Sequence, residues 1–260
     1  MTKCVILAGG LGSRLSEETV SKPKPMVEIG GRPILWHIMK HYSHYGINDF
    51  IICLGYKGYL IKEYFFNFSL HNADFTIDLK TNEITSNFKN LPNWKVTLID
   101  TGENTLTGGR LLRLKEILKN EKYFCMTYGD GVSDINIKKL ISFHVKQRKF
   151  ATMSIVTPPG RFGSVKVKGK VVTEFSEKND TSNSFINGGF FVLSPEIFKF
   201  INNDNSIWEQ EPLKKLSSQK QLISYHHKGF WHAMDTLRDR NYLENLWTKN
   251  IANWKIWDEN

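Results

Sequence analysis

The chain has 260 residues, 40% of them hydrophobic, and 35 Lys+Arg against 26 Asp+Glu give a formal net charge of +9. Such a chain carries enough apolar surface to offset its ordering entropy, which excludes disorder. Its longest apolar run near the start, Cys4 to Ala8, stops at Gly9-Gly10 and falls far short of the roughly 20 residues of a membrane span. Neither a transmembrane helix nor a signal peptide is expected, and the protein is expected in the cytoplasm.

Strand and helix signals alternate through the first half. Val5 to Ala8 reads as a strand, Ile34 to Tyr45 as a helix with apolar residues at 34, 35, 38, 39, 42 and 45, and Phe50 to Leu54 as a strand. Gly58 to Phe68 then reads as a helix, Trp94 to Ile99 as a strand, Leu111 to Leu118 as a helix and Tyr123 to Thr127 as a strand. Between residues 69 and 93 the alternation lapses into polar sequence with short β-like pieces, DFTIDL and EITSNF, read as an inserted hairpin or long loop. Ala151 to Val156 is a further strand, and Gly163 to Val172 reads as a two-stranded hairpin whose lysines at 166, 168 and 170 are solubilising edge charges.

Strands alternating with helices predict an α/β fold, a Rossmann-like, mainly parallel sheet flanked by helices, with a β-rich and helical C-terminal part. No linker divides the chain, so residues 1–260 are expected to form a single domain, with one part over 1–150 and a C-terminal part over 151–260. In such a sheet the ligand sits beyond the carboxyl ends of the strands.

Charge and cysteines narrow the chemistry. A net positive chain suits nucleic acid, a membrane surface or small polyanions, but Lys and Arg are scattered, with no like-charge block or basic stripe, which argues against nucleic acid. Cys4, Cys53 and Cys125 each sit inside an apolar strand-like run without a partner at metal-ligand spacing, and read as buried thiols.

The strongest chemical signal follows the first strand, in Leu7-Ala8-Gly9-Gly10-Leu11-Gly12-Ser13-Arg14. Three glycines there let backbone N–H groups approach an anion closely, and a phosphate is the natural guest. No Gly-Lys-Ser/Thr follows, and the third glycine of a dinucleotide fingerprint would fall at Leu15. Arg14 can clamp phosphate oxygens bidentately, and Lys22 and Lys24 bring further charge to the same strand end. Beyond a second core strand, Asp130 stands between Gly129 and Gly131, where an α/β fold holds a divalent cation against a nucleotide phosphate, or simply makes a turn. Asp235 precedes a helix and is either a second carboxylate for that cation or an N-cap.

Together these residues resemble the sugar-1-phosphate nucleotidyltransferases, most closely the glucose-1-phosphate cytidylyltransferases. The matching segments are LAGGLGSRLSEETVSKPKPMVEIGGRPILWHI, GYKGYLIKEYF, DTGENTLTGGRLLR, YGDGVSD, PPGRFGSV, INGGFFVL, WEQEPL and GFWHAMDTLRDRNYLENLW, spread over nearly the whole chain. DTG followed by TGGR, with GFW and MDT, looks like the cytidylyl branch. Ser13 replaces the commoner Thr, and Glu177-Lys178-Asn179 stands where the family shows Glu-Lys-Pro.

The resemblance implies transfer of CMP from CTP to glucose 1-phosphate with release of pyrophosphate, an in-line displacement helped by Mg²⁺. It implies that Leu7, Ala8, Gly9, Gly10, Leu11, Gly12 and Ser13 surround the nucleotide, that Arg14 meets the pyrophosphate oxygens and that Lys24 meets the phosphates flanking the reacting centre. Arg14, Lys24 and Asp130 are the implied catalytic residues. Thr105 joins the nucleotide contacts, Thr107, Gly108, Gly109 and Arg110 meet the cytosine end, Asp130 and Asp235 hold Mg²⁺, and Glu177, Lys178, Asn187 and Gly188 hold the sugar phosphate. It also implies a homo-oligomer, a trimer or hexamer, and a product feeding deoxysugars of a surface polysaccharide.

His37, His41 and His44 have metal-ligand spacing on the helix after GGRPILW, but no carboxylate or thiolate is near in sequence, so packing is expected. Trp247, Trp254 and Trp257 make a C-terminal segment expected to dock on its own body or on a neighbouring subunit. Three alternatives stay open: the same reaction with UTP or dTTP, a non-catalytic nucleotide-binding regulatory subunit, and a nicotinamide oxidoreductase, which the missing third glycine argues against.

Overall fold

A computed structural model describes residues 2–87, 91–157, 164–168, 171–176 and 185–258. In chain order, β1 (Lys3–Leu7) leads through α1 (Ser16–Thr19) and the short strands β2 (Glu28–Ile29) and β3 (Arg32–Pro33) into α2 (Ile34–His44) and β4 (Asp49–Leu54). The helices α3 (Gly58–Phe66) and α4 (Phe68–His71) precede the hairpin β5 (Asp74–Asp78) and β6 (Glu83–Asn87), which leads to β7 (Lys95–Asp100). After α5 (Thr107–Leu112) and α6 (Lys115–Leu118) come β8 (Phe124–Tyr128), β9 (Gly131–Ser133), α7 (Ile137–Gln147) and β10 (Ala151–Val156). A second hairpin, β11 (Ser164–Lys168) and β12 (Val171–Ser176), is followed by β13 (Ile186–Leu193), α8 (Glu211–Ser218), β14 (Leu222–His226), β15 (Trp231–Ala233) and α9 (Leu237–Thr248).

The main sheet has seven strands in the order β14-β10-β13-β8-β1-β4-β7. The pairs β8–β1, β1–β4, β4–β7 and β10–β14 are parallel, whereas β13 runs antiparallel to both its neighbours. All six residues of β4 are buried, as a strand covered on both faces demands. One apolar cluster, with Ile6, Ile38, Tyr42 and Ile52, fills one face; another, with Val5, Ile51, Met126 and Phe191, fills the other.

From β1 the chain steps to β4 and β7 on one side, then returns to place β8 on the other. The loops after β1 and β8 therefore diverge, and the crevice between them is a topological switch point. A small ribbon completes it: β15 pairs with β9, and the Met234 amide donates to the Asp130 carbonyl at 2.8 Å. This ribbon sets Asp235 beside Asp130.

Two expected helices are split. The helix read from Gly58 to Phe68 breaks at Asn67, and the one read from Leu111 to Leu118 starts at Thr107 and breaks after Leu112. Helix propensity disfavours glycine at 108 and 109, but packing overrides it. A Cβ at Gly109 would lie 2.3 Å from the Asp204 carbonyl oxygen, so only glycine lets the segment around 204 close on α5.

The aromatic tail docks on its own chain. Trp254 is fully buried and stacks near Phe230 and Trp247, while Trp257 meets Trp36 edge-on across a 5.9 Å centroid separation. Among the described residues no helix is long and apolar enough to cross a membrane.

Candidate active site

The loop after β1 is closed by its own bonds. Gly12 sits at φ 66°, the left-handed region that favours glycine, and turns the chain into the short helical turn Ser13–Leu15. The Leu15 amide donates to the Gly12 carbonyl at 2.9 Å, and the Thr19 hydroxyl reaches the Gly12 and Leu15 carbonyls at 3.1 and 3.0 Å. From α3's entry, the Tyr56 hydroxyl donates to the Thr19 carbonyl at 3.2 Å and the Lys57 ammonium to the Val20 carbonyl.

Lys24 opens a helical turn between Pro23 and Pro25 and is only 9% exposed. Its Nζ donates to Asp130 Oδ2 and Asp235 Oδ1, each at 2.7 Å. Burial disfavours the charged amine, but the Asp130 and Asp235 carboxylates outweigh it and hold the lysine pKa above its ordinary value. Arg14, largely exposed, reaches Asp235 Oδ2 from its Nη1 at 3.0 Å. Lys22 turns away toward Glu28, 3.5 Å distant. Asp235 is not the N-cap of α9: Thr236 fills that position, in a capping box with Asp239, whose Oδ2 also accepts the Asp235 amide at 3.2 Å. Asp235 is thus left to face Lys24.

A cleft of about 310 Å³ is lined by Leu7, Ala8, Gly9, Gly10, Gly12, Ser13, Arg14, Lys24, Thr105, Thr107, Arg110 and Asp130. Leu11, Gly108 and Gly109 lie outside this lining. Leu11 points its side chain to solvent, and Gly108 and Gly109 spend their amides on the Ser206 carbonyl at 2.9 and 3.2 Å. The two amides thus fasten the start of α5 to the segment around 206. Arg110 is buried, and its two Nη groups donate to the Leu54, Gly102, Gly9 and Glu103 carbonyls and the Thr101 hydroxyl at 2.8 to 3.1 Å. Here its guanidinium is a strut tying the β1 loop to the ends of β4 and β7, and burial draws its pKa below the usual arginine value.

A smaller cavity adjoins the cleft, lined among others by Tyr128, Asp130, Asn187, Gly188 and Trp231. Trp231 Nε1 donates to the Gly188 carbonyl at 2.6 Å, and Asn187 Nδ2 donates to the Tyr128 hydroxyl at 3.3 Å. Glu177 and Lys178 lie outside the described residues.

Two polar residues at this junction escaped the sequence reading. Tyr128 ends β8, and its hydroxyl donates to Glu209, whose other oxygen accepts from the Thr107 hydroxyl at 2.7 Å. The segment WEQEPL marked the neighbourhood, but nothing in its spacing singled out Glu209, which reaches the site only through the packing of residues 204–209 on α5.

His37 and His41 bond the Ile29 and Ile135 carbonyls, each at 2.8 Å, and burial lowers both pKa values to about 4, while His44 is exposed. They are packing residues. Among the described residues no cluster of three or more His, Cys, Asp or Glu forms a cation cage. Asp130 and Asp235 present hard carboxylate oxygens of the type Mg²⁺ takes, and here those oxygens pair with Lys24 and Arg14.

The chain matches the family described as Nucleotidyl transferase over residues 3–236. It is 55% identical over 256 residues to the glucose-1-phosphate cytidylyltransferase of Salmonella typhimurium, covering 98% of this chain and 100% of the relative. The enzyme of the same name from Salmonella typhi is likewise 55% identical with the same coverage. Among solved structures, HddC from Yersinia pseudotuberculosis superposes with a TM-score of 0.69 at 25% identity, covering 95% of this chain and 100% of that one. A mainly parallel sheet whose switch point gathers a glycine loop, an arginine, a lysine and two carboxylates, joined to these full-length likenesses, makes the chain a member of the nucleotidyl transferase family, among its glucose-1-phosphate cytidylyltransferases.

Proposed function

We propose that the chain transfers the CMP group of CTP to α-D-glucose 1-phosphate, forming CDP-glucose and pyrophosphate. The observation that carries this reading is the convergence of Arg14, Lys24, Asp130 and Asp235 on one edge of the cleft. An oxygen of the sugar phosphate attacks the α-phosphorus as the bond to pyrophosphate breaks, so the protein's task is positioning and charge neutralisation. Arg14 meets the departing pyrophosphate from the turn after Gly12, and Lys24 meets the phosphates at the reacting centre. Asp130 and Asp235 present the hard oxygens that Mg²⁺ takes, and the bound ion supplies neutralisation of phosphate charge. Thr105 and Thr107 border the cytosine end, with Arg110 bracing the loop beneath. Asn187 and Gly188, with Glu177 and Lys178, hold the glucose phosphate.

The hairpin β5–β6 supports self-association into the trimer or hexamer that the resemblance implies. Its residues Phe75, Ile77 and Ile84 are 45%, 43% and 58% exposed, with Ile77 directly across from Ile84. An isolated two-stranded hairpin is marginal in water, and a second copy covering this face would stabilise it. We place the enzyme in the cytoplasm.

Pyrophosphate release from the purified protein with Mg²⁺ and glucose 1-phosphate, run with CTP, UTP, dTTP, ATP and GTP in parallel, tests the reading. Release with CTP alone is expected. Release with another nucleotide overturns the base assignment, and silence with all five overturns the reaction.

A further inference from the structure

Glu209 follows the fully buried Trp208 on a segment fastened to the start of α5. The Leu106 amide donates to the Asp204 carbonyl at 2.9 Å, the Gly108 amide to the Ser206 carbonyl at 2.9 Å, and Arg113 forks onto the Asp204 carboxylate at 3.1 and 2.6 Å. The Trp208 amide donates to the Thr107 hydroxyl at 2.9 Å. An exposed carboxylate is thus held against Thr107 and Tyr128, which line the cavities, instead of sweeping through solvent.

Its contacts form a directed chain. Thr107 and Tyr128 each donate a hydroxyl proton to Glu209, Asn187 Nδ2 donates to the Tyr128 oxygen at 3.3 Å, and Asn187 Oδ1 accepts the Gly189 amide at 2.8 Å. An ionised carboxylate only accepts, so Tyr128 must spend its single proton on Glu209 and can only accept from Asn187. Burial, then the nearby Glu209 charge, raise the Tyr128 pKa well above the tyrosine range, so that proton stays. The Asn187 amide is fixed at both ends: its oxygen is spent on Gly189, and one N–H remains for a guest.

We infer that Glu209 is a positioning residue for the sugar phosphate: by taking the Tyr128 proton it keeps the Tyr128 oxygen as acceptor for one Asn187 N–H, and so holds in place the Asn187 amide whose other N–H meets an acceptor oxygen on the sugar phosphate. The inference rests on the reading of Asn187 as a sugar-phosphate contact. Glu209→Gln keeps the size of the side chain and an oxygen for Thr107, but its amide can donate to Tyr128, which frees the Tyr128 proton to turn toward the Asn187 Nδ2 group and displace it.

Steady-state kinetics on purified Glu209→Gln, Tyr128→Phe, the double variant and Asn187→Ala provide the test, with thermal unfolding confirming that each is folded. The KM for glucose 1-phosphate is expected to rise about five- to tenfold in both single variants and no further in the double, while kcat and the KM for CTP stay within about twofold. An unchanged KM for glucose 1-phosphate in Glu209→Gln and Tyr128→Phe, beside a raised one in Asn187→Ala, overturns the inference and leaves the site reading intact. Additive effects of the two single variants overturn action through Tyr128. An unchanged value in Asn187→Ala removes the reading of Asn187, and the inference with it.

Discussion

The Lys24 ammonium and the Asp235 carboxylate, contributed by the two ends of the chain, meet at 2.7 Å, with Asp130 completing the contact from β8's exit at the same distance. Lys24 is nearly buried there, so its charge is desolvated and its neutralisation depends on those two oxygens. A cation so desolvated is screened little by water, as the proposed contact with phosphate requires.

Replacing Lys24 by Met keeps the length of the side chain and removes the charge. Turnover is expected to fall by roughly 10²- to 10³-fold, the effect of deleting one preorganised electrostatic contact. Initial rates of pyrophosphate release, with circular dichroism as the folding check, measure it, and a loss under about threefold would contradict the role.

The two carboxylates are expected to act as one ion site. Asp130→Asn and Asp235→Asn should each abolish Mg²⁺-dependent turnover, and each should weaken Mn²⁺ binding, followed by its paramagnetic resonance, by about tenfold or more. Either variant binding Mn²⁺ like the parent would separate that residue from the ion.

Arg110 satisfies five oxygens beneath the loop after β1. Arg110→Ala leaves them without their donor and should destabilise the fold by about 2–4 kcal/mol, with weaker CTP binding as the loop loosens. Chemical denaturation and nucleotide titration of the same preparation check both effects, and weakened CTP binding at unchanged stability would instead make Arg110 a direct ligand.

Acid should destabilise the protein through its buried histidines. Burial lowers the pKa of His37, His41 and His144 to about 4 from the ordinary histidine value of 6.5. Between these limits the unfolded chain binds protons that the folded one does not, so stability is full above about pH 6.5 and is lost as pH falls toward 4. Thermal midpoints at pH 7 and pH 5 should show this drop, and His41→Gln, which keeps a donor for the Ile135 carbonyl, should flatten it.

Trp254 is fully buried against Phe230 and Trp247 of its own chain. Trp254→Ala should cost about 3–5 kcal/mol of stability while the oligomeric mass by light scattering stays the same. Dissociation without destabilisation would transfer this tail to a subunit interface.

The periodicity of the sequence located β1, β4, β7, β8 and β10 and the helices between the first of them, because short apolar runs bounded by turn residues suit strands buried on both faces, whereas β13 and β14 were not read from it. It also located the glycine loop, Arg14, Lys24 and Asp130, since all stand within a few residues of a strand end or in a proline-framed turn, where local residue types report local geometry. What lay beyond local reading was every contact made across the sheet. Asp235 joins Asp130 only through the β9–β15 ribbon, and it is left for the site because Thr236 takes the capping role. Gly108 and Gly109 serve helix packing, and Arg110 serves as a strut, because residues 204–206 and the ends of β4 and β7 arrive at that place from elsewhere in the chain. Glu209 enters for the same reason. Local propensity sets which segments form strands and turns; which donors remain for a ligand is decided only when tertiary packing has claimed its own.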